Sequence, residues 1–313
     1  MPHFFCIVGP TAVGKSELAA EVAVRLDAEI VNADAFQIYR GFDVLSGKPD
    51  PGTLAEAPHH LIGIVARDQE MSAAKYGDLA LPIIEQINSR GKLPLVVGGS
   101  GLYIKGLTHG LDDLPAGDPN LREELEQLGI EQLRARLTDL DSKAAERVDM
   151  KNRRRLVRAI EIATLSRSTR SASHLSGGGG VQQINSESSA RNHCHQNGVF
   201  VFRDREELYQ RINKRVEAML RNGAIDEVRN AGKLSATAEQ MIGVGDIRRH
   251  LSGETSLAEC TAAIQQSTRR YAKRQLTWFR HQTTLEALNL SLLNHNEAVE
   301  EVVRQAVAGT RGE

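Results

Sequence analysis

Eight residues carry the clearest chemical signal: Gly9-Pro10-Thr11-Ala12-Val13-Gly14-Lys15-Ser16, a full match to GxxxxGK[ST]. The glycines let backbone N–H groups turn inward onto phosphate oxygens, Lys15 adds a point charge, and the Ser16 hydroxyl can reach a bound Mg2+. The motif says phosphate; it does not say which compound, or what is transferred. A nucleoside triphosphatase would add a hydrophobic strand ending in a metal-binding acid. Here the apolar run Leu93–Val97 ends instead in Gly98-Gly99-Ser100-Gly101. Such small residues let backbone and a hydroxyl close on a ligand, or simply make a tight turn.

Asp34 follows a second apolar run and opens Asp34-Ala35-Phe36-Gln37. An acid at the carboxyl end of a parallel strand beside a phosphate loop sits where open α/β sheets bind ligands. It could bind metal, cap a helix or serve as a general base. Two basic clusters come later. Residues 151–170 carry seven positive side chains against one acid, Glu161. Arg269, Arg270, Lys273, Arg274 and Arg280 interleave with Tyr271, Trp278 and Phe279. Basic residues among aromatics suit a phosphate backbone and unstacked bases, though a solvated helix face is the bland alternative. His193-Cys194-His195 lacks a second ligand pair at zinc spacing and reads as loop, as do His59-His60.

The elements that must position these groups are legible in outline. His3–Val8, Ala28–Asn32, Leu93–Val97 and Val199–Phe202 read as strands. The first is followed by a helix with Leu18, Val22 and Leu26 inside. Strand–helix alternation points to an α/β fold with a parallel sheet. Leu121, Leu125, Leu128, Leu133 and Leu137 recur at helical spacing, and a basic helix with Leu156, Ile160 and Ala163 on one side runs from Lys151 to Ser166. This divides the chain into a core (1–114), a helical insertion ending in a flexible Ser/Gly-rich linker from about Ser173 (115–198), and a return to the core with C-terminal helices (199–313). Asp204 and Glu207 form a capping box, Asn222-Gly223 stops the helix they open, and two more helices span Glu239–Leu251 and Ser256–Arg280. The 313 residues contain three cysteines and no apolar run near the ~20 residues that span a membrane. The N-terminus reads as a buried strand and not a signal peptide. A soluble, cytoplasmic, monomeric protein is expected.

GPTAVGKS, NADAFQIYRGFDVLSGKP, PHHLI, GGSGLYI, NRRRLVRAIE, FRDREELYQRINKRVEAM and YAKRQLTWFR together resemble the bacterial tRNA dimethylallyltransferases, in that family's order. The resemblance implies a P-loop NTPase-like core with an inserted all-helical tRNA-binding domain. It implies transfer of a dimethylallyl group from dimethylallyl diphosphate to N6 of the adenosine 3′ of the anticodon, with Mg2+ as cofactor and the tRNA anticodon arm as partner. Gly9 to Ser16 would cradle the diphosphate with Arg205 and Arg211, Ser16 would place the metal, and Lys15 and Arg205 would act in catalysis. Asp34 would be the general base, the segment Asp34, Ala35, Phe36 and Gln37 would recognise adenine, and Ser100 would put a hydroxyl near the reacting nucleotide. Arg122 and the segment Arg154, Arg155, Leu156, Val157 and Arg158 would contact tRNA, as would Lys273 and Arg274.

The chain departs from the family pattern at Ala35-Phe36 (usually Ser-Met), Leu45-Ser46-Gly47 (Gly-Thr-Ala), Ser100 (Thr) and Gly243-Val244 (Gly-Tyr). None of these removes a phosphate ligand or the base. Three alternatives share parts of the signal. An adenylate prenyltransferase acting on free nucleotides would need no charged insertion, a P-loop small-molecule kinase would consume ATP without a prenyl donor, and a non-catalytic RNA-binding protein would not need Lys15 and Asp34 intact.

Overall fold

In the computed structural model, which describes residues 3–110, 118–175 and 197–310, the chain divides into two units. One comprises Met1–Gly110 with Arg191–Glu313, the other Leu111–Ala190. The larger unit is built on a six-stranded sheet in the order β3-β2-β4-β1-β5-β6, parallel at every pairing. Its strands are β1 (Phe5–Val8), β2 (Glu29–Asn32), β3 (His59–His60), β4 (Pro94–Gly98), β5 (Gly198–Phe202) and β6 (Glu286–Asn289). β1, β2 and β4 are buried along their whole length. That explains why they read as continuous apolar runs without alternation.

Parallel neighbours need crossover connections, and helices supply them: α1 (Lys15–Leu26), α2 (Pro51–Glu56), α3 (Ala73–Ser89) and α4 (Gly101–Thr108). Leu18 and Val22 of α1 are buried as expected. The smaller unit holds α5 (Pro119–Glu126), α6 (Ile130–Leu140), α7 (Ser142–Arg147) and α8 (Arg153–Leu175). It has its own core of Leu125, Leu133, Leu137, Leu156 and Ile160, each fully buried, with Val157 nearly so. The larger unit resumes with α9 (Arg205–Arg221), α10 (Ala224–Arg229), α11 (Val244–Leu251), α12 (Leu257–Gln282) and α13 (His295–Thr310).

Several expectations are corrected. His59-His60 is a strand: it pairs with Ile30 and Val31, and His60 Nε2 lies 2.8 Å from Glu29 Oε2. The expected box at Asp204 is absent. Its carboxylate accepts from Asn289 Nδ2 (3.0 Å), while Glu207 bonds Arg203 and Ser291. The reciprocal box is instead Ser256–Glu259, opening α12. The expected helix Glu239–Leu251 breaks at Gly243, whose φ of 100° is left-handed and interrupts a right-handed helix. The basic helix runs on to Leu175. His193-Cys194-His195 and most of the Ser/Gly-rich stretch lie outside the described residues.

Candidate active site

The carboxyl ends of β1, β2 and β4 converge. Gly9 N–H donates to the Gly98 carbonyl (3.3 Å), and Ala33 N–H donates to Val97 (2.7 Å). Ser100 N–H donates to Ala33 (3.2 Å). Between these ends and α9 lies a cavity of about 810 Å³. Thr11, Ala12, Gly14, Lys15 and Ser16 line one side of it; Asp34, Gln37, Arg211 and Arg215 line it as well.

The phosphate loop is held in the backbone conformation its task requires. Ala12 has φ 64° and Gly14 φ 102°, and alternation of that kind turns successive N–H groups inward to form an anion-binding concavity. Lys15 Nζ donates to the loop's own carbonyls at Gly9 (3.0 Å) and Pro10 (2.8 Å). Burial lowers the Lys15 ammonium to about 8, with Asp34 opposing the fall and Arg215 adding to it.

Three arginines brace the loop from outside. Arg203 Nε donates to the Val13 carbonyl (2.9 Å) and Arg211 Nε to Ala12 (2.9 Å). Arg215 reaches Thr11 Oγ1 (3.3 Å) and the carbonyls of Ser46 (3.2 Å) and Gly47 (3.3 Å). Burial pulls the Arg215 guanidinium below its usual range, although Asp34 and Glu17 favour its charge. Glu227 of α10 holds the 43–47 wall, its carboxylate accepting from Asp43, Val44 and Leu45 N–H at 2.8 Å each.

Asp34 Oδ1 accepts from Phe36 N–H (2.9 Å) and Gln37 N–H (3.3 Å). It therefore caps a turn and not a helix, with the carboxylate lining the cavity. Gln37 Nε2 donates to the Gly47 carbonyl (2.8 Å). Ser100 Oγ accepts from Ala35 N–H (2.9 Å) and is hydrogen-bonded to the Tyr271 side chain, so it braces the Asp34 segment from behind. Ser100, Ala35 and Phe36 are not among the lining residues.

Arg205 is also outside the cavity. It is exposed, with its guanidinium 5.2 Å from the Tyr209 ring centre, and Arg203 and Arg215 stand at the loop in its place. A signal for them existed: positions 203, 207, 211 and 215 form one i,i+4 stripe starting at the end of β5. Gln275 was also missed. It is 5% exposed, accepts from Thr11 N–H (2.9 Å) and donates to the Gly99 carbonyl (2.8 Å).

In the helical unit, Leu156 and Val157 belong to the core and present no surface to RNA, which corrects their assignment as contacts. Arg122 grips the fully buried Glu161 with two bonds (2.8 and 3.0 Å), and Arg158 adds a third (3.1 Å). Arg154 and Arg155 are exposed, as are Lys273 and Arg274 on α12.

The chain that folds into this arrangement is similar to known proteins. The IPP transferase family model matches residues 37–282. The chain belongs to the IPP transferase family. Among family relatives, the tRNA dimethylallyltransferase of Acetivibrio thermocellus is 39% identical over 310 residues, covering 96% of this chain and 95% of that one. The tRNA dimethylallyltransferase of Geobacter metallireducens is 42% identical over 289 residues, covering 89% and 90%. The solved full-length tRNA isopentenylpyrophosphate transferase of Bacillus halodurans superposes with a TM-score of 0.69 at 32% identity, covering 99% and 96%. A eukaryotic dimethylallyltransferase acting on tRNA shares the fold (TM-score 0.74, 22% identity, 98% and 80% covered). Within this family frame the fold is the P-loop NTPase-like α/β core anticipated from sequence, and the chain is a prenyl-transferring enzyme. No helix among the described residues is long and apolar enough to cross a membrane.

Proposed function

We propose that this chain transfers the dimethylallyl group of dimethylallyl diphosphate to N6 of the adenosine 3′ of the anticodon in tRNA. One observation carries the reading. The cavity that holds the phosphate loop and two arginines also has an apolar wall, Ala19, Ile30, Ile62 and Val97, and reaches Asp34. An amphiphilic prenyl diphosphate suits such a space better than a nucleoside triphosphate, and this disfavours the kinase alternative. The names of the relatives support tRNA as acceptor.

An exocyclic adenine amine is a poor nucleophile, because its lone pair is delocalised into the ring. As N6 bonds to C1 of the donor, the C1–O bond breaks and diphosphate leaves with the electron pair. The leaving charge needs fixed positive groups, which Lys15, Arg211 and Arg215 supply together with the loop N–H groups. Asp34 accepts the proton lost from N6, a role worth roughly 10²–10⁴-fold. The residues fit a magnesium ion: the Ser16 hydroxyl is a hard oxygen donor in a cavity shaped for phosphate, the setting in which Mg2+ binds through few protein ligands. When bound, the ion would neutralise diphosphate charge. The exposed Arg154, Arg155, Lys273 and Arg274 are the positions for tRNA phosphates. The enzyme works as a cytoplasmic monomer.

The test is incubation with Mg2+, dimethylallyl diphosphate and either unmodified tRNA or AMP, followed by mass spectrometry of the nucleosides. Prenylated adenosine from tRNA alone is expected. Product from AMP alone would make this a free-nucleotide enzyme, and ATP consumption without prenyl donor would make it a kinase.

A further inference from the structure

We infer that Gln275 is a positioning residue that holds the phosphate loop in register with the turn carrying Ser100, and so fixes the leaving group relative to the acceptor. The inference rests on the prenyl-transfer reading for its kinetic consequence, but not for its geometry. Thr11 sits in the loop after β1; Gly99 sits in the turn after β4. The strands beneath are paired through Val8 and Gly98, and the backbone contact continues to Gly9, whose N–H donates to the Gly98 carbonyl (3.3 Å). One side-chain amide joins Thr11 to Gly99, at 2.9 and 2.8 Å.

Its orientation is dictated by its partners. Thr11 offers only a donor and Gly99 only an acceptor, so the reversed amide would set donor against donor and acceptor against acceptor. The approach is tight. A Cβ at position 99 would lie 2.3 Å from Gln275 Nε2, so only glycine admits the bridge. The helix carrying Gln275 is anchored on either side of it. Tyr271 is hydrogen-bonded to the Ser100 side chain, and Phe279 stacks on Phe200 of β5 with ring centres 5.6 Å apart.

Ser100 in turn braces Ala35, next to Asp34. The chain of contacts Thr11–Gln275–Gly99–Ser100–Ala35 therefore links the diphosphate cradle to the proposed base through neighbouring groups. Neither substrate needs to touch Gln275. Its loss should leave each substrate's own contacts in place and disturb their relative placement, and a shift of about 1 Å can cost about 10²-fold in rate.

Two variants test this. Gln275→Met removes both hydrogen bonds at nearly the same volume. It should lower the single-turnover transfer rate by about 10–10²-fold, while the dissociation constants for dimethylallyl diphosphate and for tRNA each stay within about threefold. Gln275→Glu keeps the acceptor for Thr11 but cannot donate to Gly99 unless protonated. Its rate relative to wild type should rise as pH falls from about 8 to about 6, because burial raises a carboxyl's pKa into that range. In Gln275→Met, which removes the acceptor, hydrogen exchange at the Thr11 amide should quicken. A Gln275→Met rate within about threefold of wild type, measured well below its melting temperature, overturns the inference, as does a Gln275→Glu deficit indifferent to pH. If the wild type makes no prenylated product, the functional reading fails, and unchanged Thr11 exchange in Gln275→Met would overturn the bridge independently.

Discussion

The arginines on the cavity wall and those around the buried carboxylate of the helical unit meet different fates. In the larger unit, Arg211 and Arg215 are turned onto neutral acceptors: the carbonyls of Ala12, Ser46 and Gly47 and the Thr11 hydroxyl. A carbonyl fixes a guanidinium without cancelling its charge, so a positive field is held ready at the loop before any anion arrives. In the helical unit, Arg122 and Arg158 meet the buried carboxylate of Glu161, and Arg153 caps the end of α5 through the carbonyls of Leu125, Glu126 and Leu128. There the charge of Arg122 and Arg158 answers a buried acid and serves the fold. Residue type alone does not separate a ligand-binding arginine from a structural one; the charge of its partner together with a place on the cavity wall does.

The contrast can be pressed from its strongest consequence downward. Asp34→Asn, which keeps the turn but removes the base, should reduce kcat by about 10²–10⁴-fold with tRNA affinity nearly unchanged; collapse of binding instead would make Asp34 only a cap. Arg215→Gln should lower kcat by about 10²–10³-fold, the cost of losing one fixed stabiliser of developing negative charge, without moving the melting point of the helical unit. Glu161→Ala leaves two arginines facing an empty buried site. It should destabilise the helical unit by about 1–3 kcal/mol, the arginines left behind being partly solvated, read by denaturant unfolding, and no measurable effect would erase the distinction drawn above. The smallest effect concerns surface charge. Arg154→Ala with Arg155→Ala should weaken tRNA binding and flatten its log–log salt dependence by about 0.7–0.9 per lost phosphate contact.

What could be read in advance followed how local the determinants are. The phosphate loop is contiguous, and β1, β2 and β4 announce themselves as apolar runs because a parallel sheet covered on both faces buries every residue of its central strands, with β5 buried over its middle three. The leucine stripes of α5, α6 and α8 are likewise local. The parts not anticipated are long-range or slight. Gln275 bonds Thr11 across 264 positions and Arg203 bonds Val13 across 190, and no spacing rule reaches that far. Arg205 is implied by the family resemblance alone, yet its side chain faces solvent, while Arg203 stands just past the end of the strand and reaches the loop. β3, two residues long, carries too little pattern to mark itself as a strand. Leu156 and Val157 were grouped with their basic neighbours, although Leu156 already lay on the apolar stripe with Ile160.

The most direct test sets Arg215→Gln beside Arg122→Gln in single-turnover transfer from dimethylallyl diphosphate to tRNA, with enzyme saturating and the temperature below both melting points. The account predicts that Arg215→Gln loses about 10²-fold or more in the transfer step, while Arg122→Gln transfers within a few-fold of wild type and shows its deficit in stability. Equal losses, or a larger one in Arg122→Gln, would contradict the assignment of available charge to the cavity and of paired charge to the fold.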